Sequence, residues 1–199
     1  MGDKCDSLYP YLLEKFIVVG ICGTLTAIIS LVENSLVFYI ILFRKNLHTS
    51  NLFFSLIIAF FDILIALSYI LLFSLEIYGD YFGSVTMHIW WYRYLKVVFT
   101  IAHVSLAASV FVILSATFER LLQTVNPSFD GFRQKMRITA AVIPILLAIL
   151  LKGTVFFEIK VNNEENCTNT MNNFNAGPTK LAMNKLYRLV LFIIICKYC

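Results

Sequence analysis

Three stretches of the chain run apolar for much longer than the core helix of a soluble domain. Phe16 to Phe43 carries one charge, Glu33. Asn51 to Leu75 carries one, Asp62, and Val97 to Phe118 carries none, its one ring base being His103. A continuous apolar run of about 18 residues or more is the pattern of a membrane-spanning helix. A fourth run, Ile138 to Leu151, is shorter and contains Pro144, which is expected to kink it. A fifth begins near Lys185 and runs to Cys199. The pattern predicts an all-α polytopic membrane helix bundle, a single domain over 1–199, with helices near 16–43, 50–76, 90–122, 135–157 and 183–199.

Polar segments punctuate these runs. Residues 44–50 and 121–137 read as short basic loops, and 158–180 as a polar, Asn-rich loop. Gly79, Asp80, Gly83 and Ser84 suggest a compact turn region over 76–88. Arg44 and Lys45, then Arg133, Lys135 and Arg137, mark their two loops as cytoplasmic by the positive-inside rule. The N-terminus and loop 158–184 then face outward, although Lys152, Lys160, Lys180 and Lys185 weigh the other way. Asn166-Cys167-Thr168 on the outer side satisfies the N-glycosylation pattern. A multi-pass plasma-membrane protein with an extracellular N-terminus is expected.

Composition supports lipid as the solvent. Of 199 residues 59% are hydrophobic and 14% charged, against about 25% charged in soluble domains. The net charge of +4 comes without a long basic run, so no nucleic-acid partner is expected. The five cysteines form no paired C-x-x-C set, and no H-E-x-x-H or nucleophile–base motif occurs, so neither a metal site nor an enzyme is expected.

Polar side chains inside a span are costly and call for a reason. Asp62 reads either as a helix-gluing carboxylate or as a polar centre that responds to conformational change. Asn34 and Ser109 are its candidate hydrogen-bond donors. Arg120, at the end of the third run, reads as an interface anchor or as a latch, with Glu119 positioned to compensate it. His103 reads as a bundle-interior histidine or as a ligand contact. Trp90, Trp91, Tyr92 and Tyr94 suit an interfacial aromatic belt.

Together these residues resemble the N-terminal part of a rhodopsin-like (family A) G-protein-coupled receptor. Asn34 matches the asparagine of that family's first helix, with Glu33 in place of its glycine. Ile58-Ala59-Phe60-Phe61-Asp62 resembles its Leu-Ala-x-x-Asp core, and Glu119-Arg120-Leu121 its Asp/Glu-Arg-Tyr ending. The Trp-rich entry and Tyr187-Arg188-Leu189-Val190-Leu191-Phe192 look most like nematode and other invertebrate FMRFamide-type neuropeptide receptors. The resemblance covers roughly residues 16–195. It implies the first five helices of a seven-transmembrane fold and a sodium-linked centre at Asn34, Asp62 and Ser109. It also implies a G-protein-side switch at Glu119 and Arg120.

The resemblance further implies an extracellular peptide ligand near Trp90, Trp91, Arg93, His103 and loop 158–184, and a heterotrimeric G protein as partner of the full-length form. Na+ near Asp62 would be the one bound ion, and no other cofactor is expected. The family's usual cysteine at the outer start of the third helix is missing, since 23–166 contains none. This leaves Cys5 and Cys167 as the candidate disulfide. A chain ending at Cys199 lacks the family's sixth and seventh helices, so signalling is expected to be incomplete in these 199 residues. The competing readings are a truncated, non-signalling membrane protein that modulates full-length receptor, and a small transporter or channel.

Overall fold

The computed structural model describes residues 11–43, 52–126, 134–163, 174–185 and 187. Four helices among them are long and apolar enough to cross a membrane. They are α1 (Leu12–Leu42), α2 (Phe53–Phe82), α3 (Val85–Val125) and α4 (Gln134–Lys152). The single turn α5 (Val155–Glu158) follows. A two-stranded antiparallel hairpin comes next, β1 (Ile159–Asn163) against β2 (Phe174–Pro178), and then the short α6 (Lys180–Met183). The chain is a polytopic membrane helix bundle. Of the fifth expected span, 186 and 188–199 lie outside the described residues.

The structure departs from the sequence expectation at two connections. The region 76–88 is helical through Phe82 and resumes at Val85, so only Gly83 and Ser84 separate α2 from α3. Gly83 adopts φ 65°, the left-handed geometry that ends a helix without a Cβ clash. The amide of Ser84 closes the cap by donating to the Gly79 carbonyl at 3.1 Å. The second departure is loop 158–180, which contains the hairpin. Its register pairs Ile159 with Pro178 and Asn163 with Phe174. At 1.5 Å per residue, α2 and α3 are about 45 and 60 Å long, so both extend beyond an apolar core of about 30 Å.

The chain divides into two compact units. One takes in Ile28–Leu67 and Ile101–Gly153. Its seams are lined with small residues: Ser105, Ala108, Ser109 and Val112 on α3, Ala141 and Ala148 on α4, all buried. The spacings of three, four and seven place each set on one helix face. Small side chains let backbones approach closely where lipid supplies no hydrophobic drive between helices. Phe53, Phe54 and Phe61 of α2 complete two clusters against them. Large apolar side chains point outward instead, with Leu36, Ile143 and Leu150 all more than half exposed.

The other unit takes in Met1–Ala27, Ser68–Thr100 and Thr154–Cys199. Here α1 widens into π-helical turns over Phe16–Gly23, and α2 does so over Ile70–Ser74. Such turns disturb the regular backbone ladder, and in lipid every backbone acceptor needs a donor from the protein. Aromatic side chains supply donors. Tyr78 and Tyr69 donate to the carbonyls of Gly20 and Val19 at 3.0 and 3.4 Å. Trp91 and Tyr94, three residues apart on α3, donate to those of Leu72 and Leu71 at 2.8 and 3.0 Å. Thr24 contacts the Gly20 carbonyl and lies 2.7 Å from Ser74 Oγ. Gly23 is required for this packing, because a Cβ there would overlap the Tyr69 hydroxyl.

Candidate functional site

Two pockets lie in the unit containing the hairpin. A cavity of about 460 Å³ is lined by Leu72 and Phe73 of α2, by Trp91, Leu95 and Phe99 of α3, and by Ile159 and Ala176–Pro178 of the hairpin. Glu76 and Glu158 are its carboxylates. A second cavity of about 320 Å³ shares Phe73, Glu76 and Trp91 with the first, and adds Lys15, Asp80 and His88. The first has the character of a small-molecule or peptide-side-chain site: mostly apolar walls with a few convergent polar groups.

Local chemistry explains how these walls are held. Trp91 is fixed by its bond to the Leu72 carbonyl and is 9% exposed. Its neighbour Trp90 is 60% exposed, one helical step of about 100° away. The aromatic-belt reading therefore fits Trp90 and not Trp91. Arg93 is exposed and places its guanidinium 5.3 Å from the Trp90 ring centroid. Neither Trp90 nor Arg93 lines the two cavities. His103 is half-buried on α3. The hairpin is anchored through Glu158, whose carbonyl accepts from the Thr179 amide at 2.7 Å. The Glu158 carboxylate accepts from the Tyr187 hydroxyl at 2.9 Å. Lys96 of α3 reaches over Phe156, 4.1 Å from its ring centroid.

The polar residues of the second cavity were not singled out by the sequence. Glu76 and Asp80 are four apart on α2 and so share a helix face. His88 is buried, its Nε2 2.8 Å from Asp80 Oδ1. That approach is misaligned for a hydrogen bond and is a close polar contact. Gly79 permits it, because a Cβ there would stand 3.3 Å from His88 Nε2. Reading 76–88 as a turn hid this arrangement. The four-residue spacing of Glu76 and Asp80 was the available signal.

In the other unit, Ser109 donates to Asp62 Oδ1 at 3.2 Å. Asn34 does not join them. Its amide donates to Ser30 of its own helix, 2.9 Å from the carbonyl oxygen and 3.2 Å from Oγ. A polar side chain one turn away on the same helix is reached without any interhelical alignment, which is why it wins. Glu33 is exposed.

At the end of α3, Glu119 pairs with Arg137 at 2.7 Å, with both side chains almost fully buried. This corrects two expectations. Arg137 lies in the first turns of α4, within the expected helix 135–157 and not in the basic loop read over 121–137, and Glu119 compensates Arg137, not Arg120. Arg120 is exposed and lines a pocket of about 150 Å³ with Ser55, Thr117, Glu119 and Gln123. Cys5, Asn166 and Cys167 lie outside the described residues. Cys22 is an exposed free thiol. No family model matches the chain, and no curated protein is a detectable relative.

Proposed function

We propose that this membrane helix bundle is a receptor of the rhodopsin-like, G-protein-coupled type that binds a peptide from outside the cell. The apolar cavity beneath the hairpin is the observation that carries this reading. It brings Trp91 together with residues 158, 159, 176–178 and 182, the loop expected to face the ligand. Preformed apolar pockets with few polar groups bind side chains of extended ligands without a chemical step. Arg120 supports the second half of the reading. It is solvent-exposed at the end of α3 beside a polar pocket, and its neighbour Glu119 is committed elsewhere. An arginine left available in this way suits a contact with a cytoplasmic partner. Asp62 and Ser109 form the polar centre of the proposal, with Na+ as its candidate ion and Asn34 outside the bonded pair.

The test is binding of a panel of fluorescent neuropeptides to intact cells expressing the chain. Saturable binding of one peptide is expected. Leu95→Trp, which fills the cavity from a buried position, should weaken it at least about tenfold at unchanged surface expression. No saturable binding, or binding indifferent to Leu95→Trp, would overturn the proposal.

A further inference from the structure

The second cavity carries more ionisable groups than the first, and the two share a wall. Its ionisable lining is Glu76 and Asp80 from α2, His88 from α3 and Lys15 from α1. Asp80 is engaged by His88. Glu76 stands differently. It is half-buried and lines both cavities, and no described residue hydrogen-bonds or pairs with it directly, Lys15 and His88 acting on it only through space against Asp80. A carboxylate at the edge of an apolar bundle is costly to leave without a counter-charge in direct contact. Water in the cavity relieves part of that cost, and a positive group relieves more. A metal ion is a poor candidate. Among the described residues, no group of three or more His, Cys, Asp or Glu side chains is placed to hold one.

We propose that Glu76 is the recognition point for a positively charged group, an ammonium or guanidinium, on the same ligand whose apolar part occupies the first cavity. This rests on the reading of the first cavity as the ligand site. The ligand class that fits is an apolar or aromatic group joined by a short spacer to an organic cation. The aromatic face would lie against Trp91 and Phe99, and the cation would reach Glu76 at the junction. Asp80, held by His88, adds negative potential behind Glu76. Lys15 and His88 act against it.

The experiment uses the whole chain in lipid nanodiscs and two probes of matched shape, 4-phenylbutylammonium and neutral 4-phenylbutanol. Affinities are measured by saturation-transfer NMR against empty nanodiscs. The ammonium should bind about tenfold more tightly than the alcohol. Glu76→Gln should remove that preference and leave alcohol binding unchanged, which also reports that the variant is folded. Equal affinities for the two probes, both abolished by Leu95→Trp, would overturn the cation site while leaving the apolar cavity in place. A preference that survives Glu76→Gln would also overturn it. Failure of both probes to bind, or binding indifferent to Leu95→Trp, would remove the ligand-site reading and this inference together.

Discussion

In the unit built from 28–67 and 101–153, alanines and serines fill the helix seams, and the buried Glu119 and Arg137 match each other's charge. In the unit that holds the hairpin, the helices are tied by aromatic hydroxyls and an indole N–H reaching backbone carbonyls, and two pockets lie among them. The first arrangement uses its polar groups to satisfy one another, as Asp62 with Ser109 and Glu119 with Arg137 do. The second leaves Glu76 facing a cavity. A closed seam favours one packed arrangement. In the proposed receptor, ligand recognition belongs to the unit that holds the hairpin.

The largest effect should come from breaking the buried pair. Arg137→Met leaves Glu119 buried without its counter-charge and is expected to destabilise the chain by about 3–5 kcal/mol. Thermal unfolding in nanodiscs would measure this, and the double variant Glu119→Leu/Arg137→Met should recover most of the loss. If the double variant is as unstable as the single one, the packed unit does not depend on charge matching. Next, Ala148→Leu overfills a seam in which Ala148 is fully buried. It should cost about 1–3 kcal/mol and leave probe binding intact once the protein is folded.

Trp91→Phe removes the bond to the Leu72 carbonyl and should cost about 1–2 kcal/mol. Its signature is local: faster amide exchange over 70–74, with Phe53–Phe61 unchanged. Exchange that rises equally in both stretches would erase the distinction between the units. The smallest effect is expected from Ser109→Ala, about 0.6 kcal/mol, the average for hydrogen bonds between membrane helices.

The four spans were legible because length and apolarity alone determine them. Interior polarity was legible as well, since Asp62 and Ser109 stand out against apolar neighbours and the structure bonds them. What escaped was three-dimensional partnership. Arg137 looked like one more loop cation, because nothing in a basic stretch marks the single residue that turns inward. Trp90 and Trp91 are adjacent letters with opposite burial, and only the rotational phase of α3 separates them. Glu76, Asp80 and His88 were read through Gly79 and Gly83 as a turn. Gly79 in fact sits inside the helix, where its missing Cβ makes room for His88.

The proposed receptor has Ala176 of the hairpin outside the cell and Gln123 at the end of α3 in the cytoplasm. Single cysteines at Ala176 and at Gln123, in a chain with its native cysteines replaced by serine, test this with a membrane-impermeant thiol reagent. Ala176→Cys is expected to label in intact cells and Gln123→Cys only after permeabilisation. Labelling of Gln123→Cys in intact cells, with Ala176→Cys protected until permeabilisation, would contradict it.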